Sequence, residues 1–490
     1  MLLTLGKKNA PEINFESLED IIMAGSKDIS RVQSLSAPPE NQLPDPAGHL
    51  LNSENASLTK GHAKSSRDTP PLVSIGPVGD GNAPTPNRAA VKARSVGLDV
   101  MRFIAVTLVL YTHANIFDAT RKFFNAKIGL GWDQLYRMRE GSWVGVDIFF
   151  VLSGFLISGL LFQELAKTGT VSPGRFLVRR GFKIYPPFWV MILATVIGIW
   201  WQGQSISVKT LLTELCFVQN YVVGPPPSYV STFWGSTWSL AVEEHFYLLL
   251  AGLFFILKQR TGPIRSINID FLPKLFLGVA LGCLAARVVT WSVLMNMPRT
   301  MIWFMRATHV RMDTLFFGVL LSYYWHTRWD EAFKATLLNQ RRLLAGISVV
   351  LLFSAIYVHE EWFPIFGFIL TYLGAGCLLI SLLSLDRSPC HPLIRLIAWL
   401  GKHSYSVYLW HLLAGSWLLS HITFHFSIRN IWGGATNLLI YFILCWTVGI
   451  AMSLLVEVPM LRLRDRFFPW LRNSKTRPAG TKCSRVWHPR

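Results

Sequence analysis

The stretch GLDVMRFIAVTLVLYTHANIF, residues 97–117, decides the fold. It is apolar and close to the ~20 residues that a helix needs to cross a bilayer. Yet it carries Arg102 and His113. At about 100° per residue, eleven steps return to nearly the same face of a helix, roughly 16 Å further along. Ionisable groups inside a membrane segment are costly and normally face the bundle interior, where something uses them. The stretch therefore predicts a membrane helix with Arg102 near its cytoplasmic end and His113 around mid-membrane.

The rest of the chain agrees. Of 490 residues, 51% are hydrophobic and 15% charged, with 19 Trp and 32 Phe, and the mean hydropathy is +0.36. A soluble chain would be about a quarter charged. An outer-membrane barrel would need alternating strands of about 10 residues, which are absent. The expected fold is all-α, a polytopic transmembrane helical bundle of about ten spans. These centre on 98–117, 143–165, 185–202, 236–257, 275–294, 309–326, 343–358, 362–385, 404–421 and 437–460. The piece LLTELCFVQNYVV (211–223) is too short to cross and reads as interfacial or re-entrant.

The formal charge of +19 raises the question of nucleic acid. The Lys and Arg residues instead flank apolar spans, as topology determinants do, so no nucleic-acid partner is expected. With a cytoplasmic N-terminus, the inner loops 166–184, 258–274, 327–342 and 387–402 carry five, four, four and three. The outer loops 203–235, 295–308, 359–361 and 422–436 carry one, two, none and one. Both termini are therefore expected in the cytoplasm, in the plasma (inner) membrane. Loop 118–142 breaks the pattern with Arg121, Lys122, Lys127, Arg137 and Arg139. Either it meets an anionic partner outside or the span boundaries there differ.

Residues 1–95 are rich in Pro, Ser, Asn and Gly and read as a disordered cytoplasmic extension, with INFESLEDIIMAG (13–25) a short amphipathic helix at most. No secretory signal is visible. The membrane domain is expected over 96–466 and a basic tail over 467–490. Six scattered Cys without CxxC or Cys/His spacing indicate neither a disulfide framework nor a metal site. No P-loop, GxGxxG, HExxH or GxSxG motif occurs.

Six motifs in order resemble the integral-membrane acyltransferase-3 family, whose members O-acetylate lipopolysaccharide, peptidoglycan and other glycans. They are the Arg102-x10-His113 pair, RRGFKIYPPFW (179–189), WSLAVEEHFYLL (238–249), RMDTLFFGVLL (311–321), LGKHSYSVYLWH (400–411) and VEVPMLRLRDR (456–466). The resemblance covers roughly residues 96–466. It implies an acyl-CoA-dependent O-acyltransferase with no tightly bound cofactor, taking acyl-CoA, most simply acetyl-CoA, as donor substrate. The acceptor would be a hydroxyl of a cell-surface glycan or another envelope or exported molecule. A small metabolite or lipid, such as a macrolide, is the alternative acceptor, and a transporter without catalysis is the alternative class. Transport would favour inverted repeats with broken helices; no internal repeat is found. Some relatives carry a further SGNH-type domain; with about thirty polar residues after 460, none is expected here.

The resemblance assigns the site. His113 is the candidate base, since an imidazole titrates near neutral pH. Arg102 offers five fixed donors to a coenzyme A phosphate. Arg179, Arg180 and Lys183 are candidates for the donor's phosphates; Lys183 stands where the family often has Arg, keeping the charge without the bidentate fork. Glu244 is a catalytic and Glu243 a substrate-side candidate; being adjacent they point about 100° apart. One of them accepts from an imidazole or an acceptor hydroxyl, while the other pairs with a cation such as Arg311. His245 replaces the family's usual Gln. Arg311, Asp313, His411 and Trp238 complete the substrate-side set, with a buried ion pair an equal reading for Arg311 and Asp313. Glu457 reads as structural, and Arg287, outside any motif, as snorkelling outward.

Overall fold

The computed structural model describes residues 94–114, 132–222, 233–261, 267–294, 305–358, 362–387, 390–418 and 433–469. The N-terminal extension, with its expected amphipathic helix, Arg121, Lys122, Lys127 and the end of the basic tail lie outside the described residues. Among the described residues every regular element is a helix and none is a strand.

The first helix, α1 (Val96–Thr112), starts at Ser95, whose hydroxyl accepts from the Leu98 amide. Its 17 residues give about 25 Å of rise, short of a full hydrocarbon core of ~30 Å. It ends at Thr112, so His113 caps the helix instead of sitting inside it. That corrects the mid-helix placement expected from the 98–117 run. A short helix α2 (Trp132–Gly141) occupies what reads as loop. Helix α3 (Val144–Thr168) ends on Gly169, whose positive φ of 69° suits glycine.

Helix α4 (Pro173–Trp201) begins twelve residues before the expected span, with Pro173 in its first turn, and runs on through Pro186 and Pro187. The basic run 179–183 is therefore helical, and Arg180 and Lys183, three apart, share a face. Trp200 and Trp201 at its end are exposed, where aromatic rings favour a membrane–water interface. The 211–223 piece forms a short helix α5 (Val208–Leu215) and a 3-10 turn, 219–221.

Next come α6 (Trp238–Thr261), α7 (Leu272–Leu294) and α8 (Met312–Tyr323), then α9 (Glu331–Asn339) and α10 (Arg341–Tyr357). The chain closes with α11 (Phe368–Leu383), α12 (Pro392–Lys402), α13 (Ser404–Leu412), α14 (Gly433–Met452) and α15 (Val458–Phe467). Helix α12, in the LIRLIAWLGK stretch, also fills an expected loop. Each of the ten expected spans overlaps helix among the described residues. Among the described residues six helices are long and apolar enough to cross a membrane unaided, and α9 with α10, bent by 65°, makes a seventh candidate. Elsewhere π-type turns at 324–328, 413–418 and 453–457 break or extend the helix, the kind of distortion that gathers at functional sites.

The densest packing joins α3 to α8. A Cβ on Gly318 would lie 2.2 Å from the Val151 carbonyl oxygen, and one on Gly154 2.0 Å from that of Leu315. Only glycine permits that approach. At Gly401 a Cβ would lie 1.9 Å from the Asp99 carbonyl oxygen, which brings α12 against the cytoplasmic-side end expected for α1. Exposed Leu193, Ile197, Leu248, Val289, Val293 and Val349 give the bundle an apolar exterior, suited to lipid and costly in water. The chain is a multi-pass membrane helical bundle.

Candidate active site

A cavity of about 360 Å³ opens among α1, α3, α4, α6, α12, α13 and α15. One wall is a stripe on α3 formed by Val146, Phe149, Phe150, Ser153, Leu156, Ile157 and Leu160. These recur at helical spacing, and fourteen residues of helix carry the stripe about 21 Å. Around it stand six cations, Arg94, Arg102, Arg180, Lys183, Lys402 and Arg464, against two carboxylates, Glu243 and Glu457. Even with Asp99 beside Arg94 and Arg102 and Asp465 beside Arg464, positive charge exceeds negative in this confined setting, which selects an anion.

Asp99, fully buried, organises the mouth. Its carboxylate accepts from Arg94 Nε at 2.7 Å and also from Arg102. Asp99 lies one turn before Arg102 on the same face, a spacing legible in the sequence but left unused there. Arg180 lies over the Tyr247 ring at 5.9 Å and Lys183 over Tyr405 at 5.9 Å. Arg179 does not line the cavity; it bonds to Asp465 at 3.0 Å and to the Phe468 carbonyl, tying α4 to α15. Glu457, read as structural, lines the cavity while accepting from Ser406 at 2.7 Å and Ser453 at 3.1 Å. His403 joins this network through Ser453 at 2.9 Å. Lys402, His403 and Tyr405 lie in the 400–411 motif and Arg464 in the 456–466 motif, but nothing in their spacing marked them as site residues, because only the fold brings α15 to the α12–α13 junction.

The cavity reaches Tyr408, whose hydroxyl donates to the Ser236 carbonyl at 2.7 Å. Beyond it lie two imidazoles. The Tyr408 and His411 ring centroids are 5.7 Å apart, and those of His411 and His113 4.9 Å apart, edge to face. His113 Nδ1 faces the Val109 carbonyl at 2.9 Å and His411 Nδ1 that of Tyr408 at 2.5 Å. A carbonyl only accepts, so each Nδ1 carries the proton and each Nε2 presents a lone pair. His411 is fully buried and its Nε2 has no partner among the described residues. Neither imidazole lines the cavity; Tyr408 stands between.

Glu243 and Glu244 both accept from tyrosines. Tyr247 donates to Glu243 at 2.7 Å and also meets Ser153 at 2.8 Å, while Tyr185 donates to Glu244 at 2.9 Å. Glu243 faces the cavity; Glu244 does not. The expected pairing of one Glu with Arg311 is not what forms. Arg311 is buried and pairs with Asp147 of α3, because the close α3–α8 crossing delivers that carboxylate first. Arg287 does not snorkel. It is fully buried, pairs with Asp313 at 2.5 Å and donates to the Val310 carbonyl at 2.9 Å. The pattern fits the cost of an unpaired charge in a bundle interior, which only a matched carboxylate offsets. Phe368 lies against both guanidiniums, at 4.4 Å for Arg287 and 4.2 Å for Arg311.

Trp238 lies under Arg306 at 5.7 Å and Arg311 at 5.6 Å. Arg306, in the 305–311 connection, is held down to about 10 by burial, with the Tyr408 phenol opposing. On α5, burial pushes the Glu214 carboxyl up to about 8, against a hydrogen bond from Thr237 at 2.8 Å.

Comparison with known proteins bears on this arrangement. An acyltransferase-domain model of the acyltransferase-3 type matches residues 95–456. A Staphylococcus aureus (strain COL) protein named "Putative O-acetyltransferase" is 28% identical over 353 residues, covering 66% of this chain and 51% of that one. The peptidoglycan O-acetyltransferase OatA of Listeria monocytogenes is 26% identical over 337 residues, covering 64% and 48%. A Bacillus subtilis protein named "Putative peptidoglycan O-acetyltransferase YrhL" is 28% identical over 350 residues, again covering 64% and 48%. The chain thus spans about half the length of the curated relatives it matches. No solved structure matches it. The family model covers every motif from Arg102 to the start of the last one, and the chain belongs to the acyltransferase-3 family of integral-membrane acyltransferases.

Proposed function

We propose that this protein is a membrane O-acyltransferase that moves an acetyl group from acetyl-CoA to a hydroxyl of an envelope glycan. The observation that carries the reading is the cation-ringed cavity that runs along α3 as far as Tyr408, with the paired imidazoles next behind that ring. An acyl-CoA has this shape and charge: phosphates at one end, an extended arm, and a thioester at the other. Arg102, Arg180, Lys183 and their neighbours would hold the phosphates, and the α3 stripe the arm. The names of the relatives, peptidoglycan O-acetyltransferases among them, support a glycan acceptor.

In this reading the Val109 carbonyl fixes the His113 proton on Nδ1 and leaves Nε2 as the base. Nε2 takes the acceptor's hydroxyl proton as the oxygen attacks the thioester carbonyl. The carbon–sulfur bond breaks, and the departing thiolate takes the proton back from the imidazolium. The basic inner loops favour a donor cavity and both termini on the cytoplasmic side of the plasma membrane, with about ten passes if the shorter helices also cross. The test is release of free thiol from acetyl-CoA by the purified protein in detergent, with and without an envelope glycan extract. Thiol release that depends on the extract and is lost in His113→Ala supports the reading. Absence of release by the parent protein, properly folded, would sink it and favour transport.

A further inference from the structure

A second cluster lies outside the donor cavity, on the short segment that follows α5. Phe217 there adopts φ 56°, a left-handed conformation that is costly for a residue other than glycine. The turn points Gln219 and Asn220 inward. Gln219 Nε2 donates to the Thr237 carbonyl at 3.0 Å and Asn220 Nδ2 to Thr308 Oγ1 at 2.8 Å. The other end of each carboxamide is buried with no partner among the described residues, and Asn220 is 5% exposed. Exchanging O and N in either amide still leaves one end unmet. Buried polar atoms are nearly always satisfied, so two such atoms on consecutive residues of one turn point to something that binds there.

The neighbours suggest what it is. Tyr221, 47% exposed, stacks on His309 with ring centroids 5.8 Å apart and planes 21° apart, forming an open aromatic platform. The Arg306 carbonyl accepts from Asn220 at 3.4 Å, and its guanidinium lies over Trp238 within electrostatic reach of His113 and Tyr408. None of Gln219, Asn220, Tyr221, Thr308 and His309 lines the donor cavity.

We infer that the 219–221 turn and the 305–309 segment form the acceptor site, and that it takes a saccharide. Sugar hydroxyls meet the unpaired carboxamide groups, and the apolar face of a pyranose ring lies on an aromatic platform, where polar tips and flat apolar faces are both matched. This inference rests on the acyl-transfer reading for its purpose, although not for its binding chemistry.

The probe is the peptidoglycan disaccharide N-acetylglucosaminyl-N-acetylmuramic acid, whose binding to the full-length protein without donor is read by saturation-transfer NMR. The variants are Asn220→Ala, Tyr221→Ala and Tyr221→Phe. Loss of one well-placed hydrogen bond is worth about 1 kcal/mol, so Asn220→Ala should weaken binding roughly fivefold to tenfold. Tyr221→Ala should do likewise, Tyr221→Phe should bind as the parent does, and the KM for acetyl-CoA should stay within about twofold in all three. A parent that does not bind the disaccharide, or Asn220→Ala and Tyr221→Ala proteins that bind it as the parent does, would overturn the site. So would an equal rise in the KM for acetyl-CoA, which a merely structural role produces. A parent that binds the disaccharide, with the expected losses, yet releases no thiol leaves this site standing and removes the catalytic reading.

Discussion

Replacing Arg180 and Lys183 together by Gln isolates the part of the cavity that should hold the donor's phosphates. Both side chains are half-buried and face the cavity over tyrosine rings. Among the described residues neither is tied into a salt bridge, so the bundle should tolerate their loss. The change takes the lining from six cations against two carboxylates to four against two. A hydrogen bond to a charged group is worth about 1.5–3 kcal/mol. The four remaining cations can share the phosphates, so the lower end applies, about 3 kcal/mol for the pair. That is on the order of a hundredfold in affinity. Since a phosphate is bound alike in the ground and transition states, the loss should fall on the KM for acetyl-CoA, with kcat changed only a few-fold. The KM of the parent should also rise with added salt more steeply than that of the variant. The assay is thiol release by purified protein at saturating acceptor. A KM within about twofold of the parent's, in protein that inserts and elutes normally, would refute the donor assignment and return these residues to topology signalling alone.

Four further outcomes follow from the geometry. His113→Ala should lower kcat by about 10²–10⁴, the usual contribution of a positioned base, with donor binding retained; a parent-like rate would pass the role to His411. Asp147→Asn and Arg311→Gln should each destabilise the bundle by about 3–5 kcal/mol, since each strands a buried polar or charged partner, whereas the double variant should recover most of the loss; thermal unfolding in detergent reads this, and additive losses would count against the pairing. Glu214, with its folded pKa raised to about 8, stabilises the fold when protonated and loses that contribution as pH rises from its ordinary range through 8. Glu214→Gln should therefore unfold at a higher temperature than the parent at pH 9 and match it near pH 4; a constant gap across that range would contradict the burial argument. Reporter fusions should place Gly131 outside and Thr261 inside, and the reverse would move the donor cavity to the outer face.

The apolar runs made the ten helical stretches legible, because each is long, continuous and flanked by charge. Their ends were not. Thr112 ends α1 before the apolar run does, and α4 starts well ahead of Tyr185-Pro186-Pro187, since prolines and basic residues inside a helix look like loop in sequence. The site was half legible. Arg102, Arg180 and Lys183, singled out together for the donor, line one cavity; Glu243, expected on the substrate side, lines it with them; and the His113 and His411 rings lie 4.9 Å apart. What sequence could not supply were partners chosen by helix crossings: Asp147 for Arg311, Asp313 for Arg287, and the tyrosines for the two glutamates. Arg287 illustrates the failure best, because an isolated arginine in an apolar run looks the same whether it faces lipid or a carboxylate.

The anion cavity draws on both ends of the described bundle: Arg102 comes from α1 and Arg94 from just before it, Arg464 from α15 and Glu457 from just before it. During synthesis these elements emerge far apart in time. Until α15 has been inserted and anchored to Arg179 through Asp465, the cavity lacks a wall and part of its charge. On the proposed reading, a partly made chain therefore lacks one wall and part of the charge that would hold an anionic donor. Donor retention would then depend on the last of the described helices, and the order of translation would keep an incomplete chain from drawing on the donor.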